Sequence, residues 1–281
     1  MDHEIAARQR PEDCAMGDRW RHALRRLKIA LSMRPIEELM PKGDAIFLHR
    51  PHGQPCHGIT QEVIRDFERL TRLVLQNPAM NRYKVPEDVA FVTYSNYRDK
   101  CRIERCYDAH GIRDYVVLGK DVVHWDWGVK VKVVLDYLES GACTTRYVLC
   151  TDAVDVLMVS DPATLLDRFK SYSCDLLFCN TFVDYPPNKD CRDFESLTYY
   201  THPLHCRLSA GAYIAEREAL ASCLRELVTA YYEKAPWACF NGAFEDQLGW
   251  RYLHSNHYPR IQVDYRCLIF KRYDLFRDMI E

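Results

Sequence analysis

Apolar and polar positions fall into two periodicities that alternate along most of the chain. Val89-Ala-Phe-Val-Thr-Tyr94 is a continuous run of β-branched and aromatic residues and reads as a strand. Arg98 to His110 carries helical spacing and is closed by Gly111, a residue suited to a helix C-terminus. Asp114 to Leu118 reads as a strand, Val129 to Glu139 as a helix stopped near Gly141, and Arg146 to Cys150 as a strand. Asp161-Pro162 opens a helix through Phe169, with Asp161 as cap and Pro162 at its first position. Asp175 to Cys179 is a strand again. Strands alternating with helices predict an α/β fold with a mostly parallel sheet covered by helices. Ligands in such sheets bind beyond the carboxyl ends of the strands.

The first part of the chain has a different texture, so residues 1–86 are expected to form a largely helical N-terminal extension and residues 87–281 the α/β domain. Arg19 to Met40 is basic and amphipathic, which fits a helix with a solvated face or contact with an acidic membrane surface. Ala45 to His49 is a short candidate strand. His49, His52, Cys56 and His57 follow among Pro and Gly; their spacing fits no standard ligand set, so a polar loop is the plainer reading than a metal site. Thr60 to Gln76 is an amphipathic helix with Thr60 as cap.

Composition narrows the function classes. The net charge of −2 provides no basic field for nucleic acid. No apolar run approaches the roughly 18 residues of a transmembrane span. The N-terminus lacks an apolar signal core. The 13 cysteines include no C-x-x-C pair, and Cys150, Cys179 and Cys267 sit in apolar runs. Free, buried thiols in a cytoplasmic or other reducing compartment are therefore expected.

The chemistry concentrates in Tyr147-Val-Leu-Cys-Thr-Asp152-Ala-Val-Asp155-Val-Leu-Met. A buried strand runs into two carboxylates three residues apart, at the edge where this architecture binds ligands. Carboxylate oxygens suit Mg²⁺ or Mn²⁺, which can clamp a nucleotide diphosphate. An isolated Asp-x-x-Asp is a weak signal; apolar runs on both sides strengthen it, because charge near a core must be paired or metal-bound.

Six motifs in order resemble the glycosyltransferase domain of the multifunctional procollagen lysyl hydroxylases, over roughly residues 88 to 270. They are Gly128-Val-Lys-Val-Lys, Thr151-Asp-Ala-Val-Asp-Val-Leu with Ser160-Asp-Pro-Ala-Thr-Leu-Leu, Leu176-Leu-Phe-Cys-Asn-Thr-Phe-Val-Asp-Tyr-Pro186, Leu208-Ser-Ala-Gly-Ala-Tyr-Ile214, Glu245-Asp-Gln-Leu248 and Val263-Asp-Tyr-Arg-Cys-Leu-Ile-Phe270. The resemblance implies a nucleotide-sugar transferase fold of the GT-A type. It implies transfer of a hexose, galactose or glucose, from a UDP-sugar to a protein or glycan acceptor, with hydroxylysine on a collagen-like chain as the family's acceptor.

The resemblance also assigns roles. Asp152 and Asp155 would bind the metal and, through it, UDP. Thr93 and Tyr94 would border the uridine, Trp125 or Trp127 would supply an aromatic wall, and Lys130 would reach the diphosphate. Gly211 would admit the donor sugar close to the backbone. Glu245 and Asp246 would face donor and acceptor as catalytic carboxylates. A solvated lysine at Lys130, and helix-dipole carboxylates at Glu245 and Asp246, are the structural alternatives.

Two departures from the family pattern stand out. Thr181 occupies the position of a functional Glu. The family's third metal ligand, a His in a His-Gly-x-Gly segment, has no counterpart up to Glu281; His254 and His257 are candidates to stand in, or simply polar residues. A catalytically impaired nucleotide-sugar- or protein-binding module on the same fold is the alternative function. A 2-oxoglutarate oxygenase built from His124, Asp126 and His202 or His205 would need an antiparallel β-helix, which the alternating pattern does not support.

Overall fold

The computed structural model describes residues 45–50, 61–76, 83–203 and 205–273, all within one compact unit that runs from Pro41 to Glu281. In chain order the elements are β1 (Phe47–His49), α1 (Gln61–Gln76), β2 (Val89–Tyr94), α2 (Arg102–Ala109), β3 (Tyr115–Leu118), α3 (Trp127–Glu139), β4 (Tyr147–Asp152) and β5 (Val156–Met158). They continue with α4 (Leu165–Lys170), β6 (Leu176–Thr181), α5 (Lys189–Thr198), β7 (Arg207–Glu216) and α6 (Arg217–Glu233). Then follow β8 (Cys239–Phe240), β9 (Ala243–Phe244), α7 (Asp246–His257), β10 (Ile261–Val263) and β11 (Phe270–Arg272).

The central sheet has the order β10-β6-β7-β4-β2-β3. Its strands run in one direction except β7, which is antiparallel to both β4 and β6. The fold is thus α/β with a mostly parallel sheet. The central strands lack polar alternation because both faces are covered. On one face Val92, Val148, Phe178 and Tyr213 join Val131, Val134 and Leu135 of α3, Leu220, Leu224 and Leu227 of α6, and Trp250 and Leu253 of α7 in a single core. On the other face Phe91 meets Tyr107 of α2 (ring centroids 5.5 Å apart) and Phe47 of β1 (6.4 Å).

That second face corrects the expected domain boundary. β1 is the middle strand of a small sheet, parallel to β11 (Phe47↔Phe270) and antiparallel to β5 (Phe47↔Met158). Phe67 of α1 contacts Tyr273 (5.4 Å) and lies under the Arg102 guanidinium (5.0 Å). An 86/87 division would cut through this packing, so the residues from 45 onward belong to the α/β unit. The cap expected at Thr60, the basic stretch Arg19 to Met40, and His52, Cys56 and His57 lie outside the described residues.

Local chemistry explains most element ends. Glu104 accepts from the Cys101 backbone N–H (2.8 Å), so α2 begins four residues later than Arg98. Asp126 accepts from Val129 N (2.7 Å) and starts α3. Asp161 accepts from Ala163 N (3.0 Å) ahead of a 3-10 turn, Pro162–Thr164, that leads into α4. Among the described residues no helix is long and apolar enough to cross a membrane.

Candidate functional site

Asp152 is the last residue of β4, and Ala153 to Asp155 form the turn into β5. Two buried strands therefore meet at a tight corner with a carboxylate on each side. The corner is pinned by α2: Ile103 N donates to Ala153 O (3.1 Å), and Arg102 donates to Val154 O. Above it opens a cavity of about 320 Å³ at the carboxyl ends of β2 and β4. Tyr94, Trp125 and Trp127 form its aromatic side, and Asp152, Asp155, Lys130 and Arg50 its charged side. Tyr94 and Trp125 stack with centroids 6.5 Å apart.

Both carboxylates have cationic neighbours. Asp155 Oδ1 accepts from Arg50 Nε (2.9 Å) and Nη2 (2.6 Å). Lys130 Nζ lies 3.1 Å from Asp152 Oδ1 and 2.8 Å from Asp246 Oδ2, and donates to the Ala210 carbonyl (3.3 Å). Burial by itself depresses the Lys130 pKa, and the Asp152 and Asp246 carboxylates more than reverse that, so Lys130 stays charged. Its ammonium also sits 5.0 Å from the Tyr94 ring centre and 5.6 Å from that of Trp127. The Tyr94 phenol is pushed well above its usual range, by burial first and the Asp152 charge second.

The backbone that receives Lys130 is made by a break in β7. That strand pairs with β4 up to Thr151↔Ala212, and its pairing with β6 jumps from Phe178↔Tyr213 to Cys179↔Ser209. Ala210 and Gly211 fall out of both ladders. The Ala210 carbonyl turns to Lys130, and Ala210 N donates to Gln247 Oε1 (3.4 Å). The Glu-Asp-Gln motif thus has its Asp on Lys130 and its Gln on the freed backbone.

The expected residues divide into two groups. Tyr94, Trp125, Lys130, Asp152 and Asp155 come together at the cavity. Thr93 does not line it: its buried hydroxyl donates to Thr151 O (2.8 Å), tying β2 to β4. Gly211 does not line it either, because the His49 ring fills the space that a Cβ at Gly211 would occupy. Asp246 is buried behind Lys130. Glu245, half-buried, has its carboxyl raised to about 7 by burial, then by the Asp246 charge, with Lys130 opposing. Thr181 is buried, its hydroxyl accepting from Val183 N (3.1 Å).

His254 is fully buried with Nε2 at 3.0 Å from Tyr199 OH, and His257 faces Glu226 (3.5 Å), so neither stands in as a ligand beside Asp152. Sequence reasoning missed Arg50 and preferred a polar loop for His49, which instead ends β1. His49 is buried with Nε2 3.8 Å from Asp152 Oδ2, and Arg50 grips Asp155. Their place at the end of a candidate strand was the available signal.

No family model matches the chain, and no curated protein does. Among solved structures, mouse xyloside xylosyltransferase 1 in its apo form is similar over 72% of this chain and 80% of that chain, at 12% identity and a TM-score of 0.34. So slight a likeness carries no weight for fold or function.

Proposed function

We propose that the chain is a metal-dependent glycosyltransferase of the GT-A type. It would transfer a hexosyl group, galactose or glucose, from a UDP-sugar to an acceptor hydroxyl. The observation that carries this reading is the pair Asp152 and Asp155, on either side of a tight turn at the carboxyl end of a buried strand, lining a cavity with aromatic walls. The motif resemblance supports the same reading and extends it to hydroxylysine-type acceptors on collagen-like chains.

Among the described residues no group of three or more His, Cys, Asp or Glu could hold an ion. Asp152 and Asp155 are 17% and 14% exposed and offer oxygen ligands alone. That suits Mg²⁺ or Mn²⁺, which take one or two carboxylates and complete their shell with substrate phosphates and water. The two aspartates would hold the ion, which when bound would neutralise charge on the departing diphosphate.

The protein's own residues do the rest. Tyr94, Trp125 and Trp127 would stack against the nucleobase or sugar. Arg50 keeps Asp155 aimed, and Lys130 compensates Asp152 and Asp246. Asp246, held by Lys130, is a positioning group. Glu245 does not line the cavity; its carboxyl, raised to about 7 by burial and by the Asp246 charge, would take a proton from an acceptor hydroxyl bound beside it.

Calorimetry with UDP, with and without Mn²⁺, tests the reading together with UDP-sugar hydrolysis by the purified protein. Mn²⁺-dependent UDP binding should vanish in D152N/D155N while the thermal transition persists. Unchanged affinity in that variant removes the metal assignment. If the wild-type protein hydrolyses and transfers nothing with any divalent ion, the binding-module alternative replaces the enzyme.

A further inference from the structure

Arg50 is the first residue after β1, in the part of the chain that the motif resemblance does not reach. Its backbone continues the β1–β5 ladder by one step: His49 pairs with Val156, and Arg50 N donates to Asp155 O (2.6 Å). Arg50 and Asp155 are thus cross-strand neighbours. From the other side Tyr273 N donates to His49 O (2.8 Å), so the main chain leading into Arg50 is held on both flanks. The Arg50 side chain is 20% exposed and lines the cavity. Among the described residues its guanidinium bonds to Asp155 alone, with Nε (2.9 Å) and Nη2 (2.6 Å) converging on Oδ1.

The cations around the two aspartates differ in how firmly they are committed. Lys130 is buried, and its ammonium is divided between Asp152 (3.1 Å), Asp246 (2.8 Å) and Ala210 O (3.3 Å). Were it to leave, the buried Asp246 carboxylate would lose its cation, which is strongly unfavourable. Arg102 is buried and tied to Glu68 and to the Val154 carbonyl. Arg50 has the opposite setting: an anchored main chain, a long side chain, a single carboxylate partner and a cavity to turn into. It can release Asp155 without disturbing β1.

Charge gives that freedom a consequence. Asp152, Asp155 and Asp246 bring three negative charges, and Lys130 and Arg50 bring two positive ones. A divalent ion held by Asp152 and Asp155 meets a carboxylate that already neutralises a guanidinium, and the two cations repel across it. A diphosphate arriving with the ion removes the conflict. It adds negative charge, and the planar guanidinium fork matches phosphate oxygens as well as it matches a carboxylate. Ion and diphosphate then bind better together than apart, and by linkage each raises the affinity for the other by the same factor.

We propose that Arg50 is an exchangeable counter-ion. It holds Asp155 in the unliganded protein, competes there with the divalent ion, and passes to the diphosphate when ion and nucleotide bind together. This exchange rests on the metal-dependent reading above and adds a ligand-binding residue supplied by β1.

The test separates the two ligands. Mn²⁺ binding without nucleotide is read from the electron paramagnetic resonance signal of the free ion, in wild type, R50M and R50Q. UDP binding at saturating Mn²⁺ is read by calorimetry. Both variants remove the charge, and R50Q keeps a donor for Asp155. Mn²⁺ alone should bind about tenfold more tightly to the variants than to wild type, because the competing cation is gone. UDP at saturating Mn²⁺ should bind them about tenfold more weakly, because a charge-assisted bond to phosphate is lost. The opposite signs are the signature. A merely structural arginine would weaken both, and a plain phosphate ligand would weaken UDP alone; either result in a variant with a cooperative thermal transition overturns the exchange while leaving the metal assignment in place. Failure of both variants to fold makes Arg50 structural and overturns it too. Absence of Mn²⁺ binding in wild type and variants, with or without UDP, removes the metal assignment itself and the exchange with it.

Discussion

Glu245 and Asp246 carry the same charge one residue apart, yet only Asp246 ion-pairs with Lys130, at 2.8 Å. Glu245 is left with burial and a like charge, and its carboxyl rises from 4.5 to about 7. A raised folded-state pKa means that the native protein keeps a proton the unfolded chain has released. The resulting stabilisation is full below about 4.5 and is lost as pH rises through about 7. E245Q has no such loss. Its melting temperature should match wild type near pH 4 and exceed it near pH 8, measured by calorimetry. Under the transferase reading, wild-type turnover should climb as pH passes about 7. E245Q should lose roughly 10²–10⁴-fold in kcat with UDP affinity unchanged. Equal turnover in E245Q would leave Glu245 a helix-start residue only.

Lys130 gives a second test at this scale. K130M leaves Asp152 and Asp246 without their shared cation and should cost about 3–5 kcal/mol in urea denaturation, part of it recovered in K130M/D246N. At this scale sequence reasoning found the residues whose surroundings are local. Asp152 and Asp155 stand out because apolar runs flank them on both sides. His49 and Arg50 do not, because their partners are remote in sequence: Arg50 and Asp155 are 105 residues apart.

At the scale of elements, the break in β7 is what joins strand to site. Gly211 leaves both ladders, and the His49 ring fills the space above it. G211A should therefore cost about 1–3 kcal/mol by overpacking, and the H49A background should return much of it; a double-mutant cycle by chemical denaturation measures the coupling. Additive losses would mean that the ring and the glycine do not interact. Most elements were legible because pattern and punctuation agree: β2 has the expected bounds, and Gly111 and Gly141 both have positive φ at helix ends. The discontinuity was not legible. Ser209-Ala-Gly-Ala212 is compatible with a regular strand, and only the simultaneous demands of Lys130, Gln247 and His49 pull Ala210 and Gly211 out of the sheet.

At the scale of the whole molecule, the parallel sheet followed from alternating periods, but the small sheet β11-β1-β5 did not. Its strands come from three distant parts of the chain, and each has only three residues, too short for periodicity to register. Energetically this sheet is not an appendage. Ala45, Ile46, Phe47 and Leu48 are all at most 3% exposed. Burying the three larger side chains is worth about 1.5–3 kcal/mol each, an upper bound of order 5–9 kcal/mol. Domains are stable by only about 5–15 kcal/mol. Removing β1 and the residue after it would also strip β5 and β11 of the backbone partners between them, take Arg50 from the cavity and His49 from beside Asp152. A chain shortened to residues 87–281 should therefore fail to unfold cooperatively in calorimetry and should show no Mn²⁺-dependent UDP binding. A chain starting at Pro41 should keep a cooperative transition, since the α/β unit begins there. If the 87–281 chain melted cooperatively at the wild-type temperature, β1 would contribute little and the boundary expected at 86/87 would stand after all.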